Sequence, residues 1–217
     1  MGKGESDMKK WVVLAGILAL FSLLARTPGY WEVFAEDETR YEAELFYGII
    51  REEYVADGRG RRVMPSAFSN LEDGDILVTD STYCFFYRHG HAALVVDADR
   101  GITLESYGIG TKSRLSGVSE WCRYPHVLVL RPILPKEIRS AVARYAMEEL
   151  IGLPYRLSTG MIGDKDMNEE YWGTQCAHLV WIAYKKFGYD IDGDRGWLVT
   201  PADFVQSPLL IPVPQNQ

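Results

Sequence analysis

Cysteine, histidine and positive charge are all scarce in this chain. Its 217 residues include three cysteines and four histidines, and 30 acidic side chains outnumber 23 lysines and arginines, for a net charge of −7. That balance argues against nucleic acid or an anionic membrane surface as the main partner. No block of like charge is long enough to serve as an interaction tail. The absence of internal repeats and low-complexity stretches excludes a solenoid or a disordered array. An apolar run of full transmembrane length is also missing. The longest candidate, Trp11 to Ala25, is short of the about 20 residues that a spanning helix needs, although about 17 can suffice.

That run is still informative. Met8-Lys9-Lys10 followed by the apolar stretch has the charged start and the roughly 7–15-residue core of an export signal. Val33-Phe34-Ala35 is the nearest small-residue cleavage pattern, and it lies well downstream. No cysteine follows the run closely, which argues against a lipid-modified bacterial anchor. Met1-Gly2 with Ser6 fits the loose myristoylation pattern, but the exporting segment behind it outweighs that reading. The expectation is an export signal or N-terminal membrane anchor over residues 1–35, with any anchoring through residues 11–25. A single domain is expected over 36–217, in a periplasmic or extracellular setting. With 47% apolar residues, a domain of about 150–200 residues can bury a real core.

Within that domain the pattern predicts a helix from about Glu36 to Glu53, with Tyr41, Leu45, Ile49 and Ile50 on one face. A charged loop, Asp57 to Arg62, follows. Strands are predicted at Asp75–Thr79, His91–Asp97, Ile102–Tyr107 and Val127–Arg131. Pro135 opens a helix with Ile138, Ala141, Val142, Tyr145 and Ala146 as its apolar stripe, closed by Gly152. Strands grouped between helices make the fold class α+β, with an antiparallel sheet packed on helices.

The chemistry concentrates at Cys176. Ala177, Val180, Trp181 and Tyr184 recur at the spacing of one buried helical face, and Gly188 marks the stop. Thr174 is the expected N-cap, which puts Cys176 in the first turn, where unpaired N–H groups and the helix dipole favour an anion such as a thiolate. The plainer reading of such a cysteine is a small buried hydrophobe that starts a helix. Of the histidines, His178 lies about 200° around the helix from Cys176 and points away from it. His126 follows Pro125 with no nearby acid in sequence, and His89 precedes Gly90. His91 opens the buried run Ala92-Ala93-Leu94-Val95-Val96, where backbone pairing can hold a general base rigidly. A water-bonded histidine at a strand edge fits that feature equally well.

Glu105 weighs in favour of the base. If Ala98 to Arg100 form a three-residue turn, Asp97 faces Gly101, Ala93 faces Glu105, and Glu105 is the diagonal neighbour of His91 on one sheet face. That face is expected to look at the first turn of the Cys176 helix. Paired so, Glu105 would fix the imidazole tautomer and leave the second ring nitrogen for a thiol.

These pieces together resemble the permuted branch of the NlpC-type, papain-like cysteine amidases, in particular the YiiX- and YaeF-like proteins. Leu71-Glu72-Asp73-Gly74-Asp75-Ile76-Leu77 resembles the opening "pGDI" strand. Gly90-His91-Ala92-Ala93-Leu94-Val95-Val96 resembles "GHvaiv", and Ile102-Thr103-Leu104-Glu105-Ser106 resembles "vvEa". Gly152-Leu153-Pro154-Tyr155 resembles "G.pY", Gln175 to Trp181 resembles "yCselvw", and Val199 to Phe204 resembles "vtPdd". Six loose motifs in the right order cover residues 70 to 210. The resemblance implies a circularly permuted papain-like fold, with Cys176 as nucleophile, His91 as base, Glu105 as orienting acid and Tyr155 lining the substrate site. It implies a peptide or acyl-amide substrate such as a cell-wall peptide, and no cofactor. Gln175 and Ala177 depart from the family's aromatic and serine beside the cysteine.

Two other functions compete. The Gln175-Cys176-Ala177-His178 run also echoes the "NCEHfv" motif of lecithin retinol acyltransferase-like lipid enzymes, whose third residue is a histidine where this chain has Glu105. A non-catalytic exported binding module would keep the same shell. Metal binding is not expected. Asp190-x-Asp192-x-Asp194 imitates a calcium loop, but Arg195 and Pro201 replace its glycine and bidentate Glu. Asp164-x-Asp166-x-Asn168 fails likewise at Glu169, and Cys84, His89, His91 and Cys122 match no zinc spacing. In an oxidising compartment Cys84 and Cys122, both in loop-like segments, could pair and leave Cys176 free.

Overall fold

The protein is described by a computed structural model covering residues 41–45, 50–54, 68, 70–84, 87–156, 159, 165 and 173–213. Internal contacts divide the chain into Met1–Ala35 and Glu36–Gln217. The export segment, the 57–62 loop and the Asp164–Glu169 run, apart from Lys165, lie outside the described residues. Among the described residues no helix is long and apolar enough to cross a membrane.

The fold is α+β with antiparallel sheets. In chain order the strands are β1 (Tyr41–Leu45), β2 (Ile50–Tyr54), β3 (Ile76–Thr79), β4 (Thr82–Cys84), β5 (Tyr87–Arg88), β6 (His91–Asp97), β7 (Ile102–Glu105), β8 (Arg114–Gly117), β9 (Leu128–Pro132) and β10 (Leu210–Pro212). The helices are a 3-10 turn at Val118–Arg123, α1 (Lys136–Glu149), α2 (Cys176–Lys185) and α3 (Pro201–Gln206). One sheet runs β1-β2-β4-β5, and the other, which carries the site, runs β10-β9-β3-β6-β7-β8.

The helix expected from Glu36 to Glu53 is corrected to the β1–β2 hairpin, with Tyr41 opposite Tyr54 and Leu45 opposite Ile50. The physical reason is visible in Tyr41-Glu42-Ala43-Glu44-Leu45: apolar and charged residues alternate at period two, and that outcompetes the sparser helical spacing. β8, β10 and the 3-10 turn carry too little pattern to be seen in the sequence.

Two apolar layers sandwich the six-stranded sheet. Ile76, Val78, Ala92, Leu94 and Leu104 pack with Ala177, Val180, Trp181 and Tyr184 of α2 and Val142 and Ala146 of α1. The alternate residues Leu77, Ala93, Val95 and Val129 face Trp121 and Tyr124. This two-sided burial explains why β6 reads as a continuous apolar run.

Packing is close where the Gly74 turn meets the two helices. Gly74 has φ +85, and a Cβ there would stand 2.7 Å from the Arg139 Cβ and 2.8 Å from the Tyr184 hydroxyl. That hydroxyl donates to the Gly74 carbonyl. Gly74→Ala is expected to cost about 2–4 kcal/mol, from left-handed backbone strain and overpacking together. Urea denaturation checks this, and a loss below the measurement error would refute it.

Candidate active site

The cysteine helix starts differently from its sequence expectation. The N-cap is Gln175, not Thr174: its side-chain oxygen accepts from the Ala177 N–H at 2.8 Å, and its amide nitrogen donates to the Val199 carbonyl at 2.5 Å. Thr174 is unavailable because its backbone is pinned into an extended pairing. Its N–H donates to Pro154 O at 2.9 Å and its carbonyl accepts from Arg156 at 2.8 Å. Cys176 is therefore the first helical residue, 95% buried, at the positive end of the helix dipole.

His91 is the first residue of β6, paired with Thr79 of β3 and entered through Gly90 at φ +76. The His89 and Gly90 N–H groups both donate to the Thr82 carbonyl at 3.0 Å, which fixes the chain just ahead of the imidazole. The expected register holds at this end of the hairpin, with Leu94 opposite Leu104 and Val95 opposite Thr103. The three-residue turn does not. Gly101 N–H donates to Ala98 O at 3.1 Å across a four-residue turn, Asp97 caps it by accepting from the Arg100 N–H, and Asp97 faces Ile102. A bulge between Val95 and Asp97 absorbs the extra residue.

The outcome is direct contact. His91 Nε2 lies 2.8 Å from Glu105 Oε2, with both side chains about 95% buried. Cys176 lies close enough to His91 for the two to interact. Since Nε2 is committed to Glu105, Nδ1 is the nitrogen left for sulfur. His91 and Glu105 share a face, but it is the face covered by Trp121, not the one under the body of α2. His91 begins β6 and Cys176 begins α2, and the two lie close together at that end of the strand.

Electrostatics favour an ionised His91–Glu105 pair. Burial opposes charge on His91, yet its interactions with Cys176 and Glu105 outweigh burial and push its pKa up to about 10. Burial also works against the Glu105 carboxylate, but the bond to His91, a hydroxyl from Ser116 and the nearby Arg123 hold its pKa below the usual carboxylate value. The sign follows from linkage. Because the folded His91 value is raised, its charged interactions contribute fully below its unfolded value and are lost as pH rises through about 10.

The remaining sequence candidates fall elsewhere. Tyr155 is half-buried, and its backbone bridges to Thr174, two residues before Cys176, with its N–H donating to Thr111 O at 2.9 Å. His178 points away from Cys176 into a structural lock. Its Nε2–H donates to the Lys165 carbonyl at 3.1 Å, and Nδ1 lies 3.1 Å from the Thr174 hydroxyl. His126, read in sequence as lacking an acid, pairs with Asp80 at 3.4 Å, a contact that only the tertiary fold creates. Cys122 is buried in the 3-10 turn rather than a loop, its thiol donating to Val118 O at 3.8 Å. Cys84 ends β4, and its side chain lies outside the described residues.

Sequence reasoning missed Trp121, which stacks on His91, and Arg123. Nothing local marks them, because the 3-10 turn carries no motif. It also missed the convergence of Asp192, Asp194 and Asp203, whose oxygens lie within 4.8 Å of one another. Lys165 Nζ lies 2.5 Å from Asp192, and Asp203 is engaged by the Thr200 N–H and hydroxyl at 2.6 and 2.8 Å. Arg195 adopts φ +54 where a calcium loop would place its glycine.

No family model and no curated protein matches the chain. Among solved structures, the metalloprotein yiiX of Escherichia coli O157:H7 is similar at 15% identity with a TM-score of 0.49, over 67% of this chain and 97% of that one. A likeness at that level assigns neither an activity nor a metal to this protein.

Proposed function

We propose that this protein is a cysteine hydrolase with a circularly permuted papain-like arrangement that cleaves an amide bond through a thioester acyl-enzyme. The observation that carries the reading is a buried imidazole paired with Glu105 at 2.8 Å, with a first-turn cysteine close beside it. His91 takes the proton of Cys176, and the thiolate attacks the carbonyl carbon. The Cys176 N–H is placed to hold the oxyanion, because the neighbouring Ala177 N–H is already committed to Gln175. His91 then gives the proton to the leaving amine as the carbon–nitrogen bond breaks. Water, deprotonated by His91, cleaves the thioester and restores the thiol. Glu105 keeps the imidazole in the productive tautomer throughout.

A carboxylate in the third position supports amide hydrolysis over lipid acyl transfer. An exported peptidase acting on cell-wall peptides is the setting that the apolar 11–25 segment and the resemblance suggest. Mass mapping after brief exposure to a cysteine-directed peptide probe tests the nucleophile. The expected result is one adduct on Cys176, lost in Cys176→Ala, and faster labelling of Cys84 or Cys122 would overturn the assignment. Acyl-enzyme trapped from a phospholipid ester but from no peptide amide would move the substrate to the lipid class. Non-reducing digestion of the same sample tests the Cys84–Cys122 pairing; a disulfide involving Cys176 would sink both that pairing and the catalytic thiol.

A further inference from the structure

One large apolar side chain stands almost wholly in water. Trp197 is 86% exposed, against 57% for Ile133, the next most exposed among the described residues. An indole has a large apolar area, and leaving it in water forgoes a large burial energy. The backbone that carries it is braced on both sides. Ahead of it, the Arg195 N–H donates to Asp192 Oδ1 at 3.0 Å and the Gly196 N–H to Asp194 Oδ1 at 2.6 Å, while the Gly196 carbonyl accepts from Lys165 Nζ at 2.6 Å. Beyond it, the Val199 carbonyl accepts from the Gln175 side-chain amide at 2.5 Å, and the Thr200 N–H donates to Asp203 at 2.6 Å. Arg195, two residues before the indole, has φ +54, the one left-handed residue other than glycine among those described. Such strain persists only where the surroundings over-determine the backbone. The indole is therefore presented by a fixed loop, not left out by a slack one.

The same contacts place it. Gln175 caps α2 and immediately precedes Cys176. Trp197 is two residues from the carbonyl that Gln175 holds, so its backbone and Cys176 are no more than about six residues of extended peptide apart. We propose that Trp197 is a specificity-determining residue, the platform for an apolar side chain of a peptide bound across Cys176. That the peptide is a substrate rests on the thiol-hydrolase reading; that the indole binds it does not. The platform carries no charge, so it selects on apolar area, and a loop fixed beforehand spares the ordering cost of binding. A net charge of −7 disfavours an anionic membrane surface as the occupant.

The test uses Cys176→Ala protein, which cannot form a thioester, and six-residue alanine peptide amides carrying one leucine at each position in turn. The chain has six tryptophans, so emission from Trp197 is isolated as the difference between Cys176→Ala proteins with and without Trp197→Phe. That emission is expected to shift to the blue when the leucine reaches one position in the series. Calorimetry should show this peptide binding at least about tenfold tighter than the all-alanine one, the scale of burying a few methylenes. Trp197→Ala should abolish the preference, and Trp197→Phe should keep most of it. No emission change with any peptide overturns the proposal, and so does a leucine preference that survives Trp197→Ala. Phosphatidylcholine vesicles that shift the emission where no peptide does would make the indole a membrane contact and overturn it as well. Cleavage of the preferred peptide is measured separately with Cys176 in place. An emission shift and a leucine preference without amide cleavage retire the hydrolase reading and leave the Trp197 platform standing.

Discussion

His91→Ala is expected to lower amide turnover by about 10³–10⁶-fold, the range seen when the base of a nucleophile–base unit is removed. The thiol stays at the head of α2 in this variant, so the loss reports proton transfer, not removal of the nucleophile. Glu105→Gln should cost less, about 10²–10⁴-fold, because a neutral amide still touches Nε2 but neither stabilises the imidazolium nor enforces its tautomer. Combining the two changes should be little worse than His91→Ala alone, since residues that act as a unit are strongly non-additive. His89→Ala and His126→Ala should keep most activity. His178→Ala should do so per folded molecule, while losing stability through its two buried hydrogen bonds. The alkaline limb of the wild-type rate profile is expected near pH 10, where His91 gives up its proton. Steady-state kinetics decide these points; full activity in His91→Ala would end the case for a thiol–imidazole enzyme.

The largest stability effect is expected at Arg131. Asp75 has no exposed side-chain surface, and Arg131 grips it in bidentate fashion, Nε to Oδ1 at 2.8 Å and Nη2 to Oδ2 at 2.7 Å. Arg139 is more distant at 3.7 Å, and the Glu72 N–H adds one donor at 2.8 Å. Burial pushes the Asp75 pKa above the ordinary aspartate value in spite of these partners. Arg131→Met strips away the main compensating charge and is expected to cost about 3–5 kcal/mol at neutral pH. Because the folded pKa is raised, Asp75 favours the fold most when protonated, and that contribution fades as pH rises through its folded value. The deficit of Arg131→Met should therefore shrink on acidification. Denaturation at pH 7 and pH 5 measures this, and a deficit that grows at pH 5 would contradict the argument.

Much of the site was legible because it is written in strands. The His91–Asp97 strand and the pairing of Leu94 with Leu104 follow from uninterrupted apolar runs around a polar turn. The parity that puts Glu105 beside His91 follows from the same ladder, although the turn itself is one residue longer than expected. The N-cap could not be assigned from residue type alone, because Thr174 is a better intrinsic cap than Gln175 and loses only through its backbone pairing to Pro154 and Arg156. Trp121, Arg123 and the Asp80–His126 pair depend on long-range contacts of a short turn and a loop, and no local period encodes those. The first hairpin was misread because a few apolar residues at helical spacing coincide with a strand alternation.

The two halves of the site also differ in when they can come together. His91 and Glu105 are 14 residues apart on one hairpin, whereas Cys176 arrives on a helix from far along the chain. Closing the short loop costs little entropy, so the imidazole–carboxylate pair can assemble early, while the thiol joins only when α2 docks on the sheet. On the proposed cysteine-hydrolase reading, reactivity is thereby tied to completion of folding: a nascent or partly unfolded chain would carry three ordinary cysteines, and the nucleophile would exist only in the molecule that has finished.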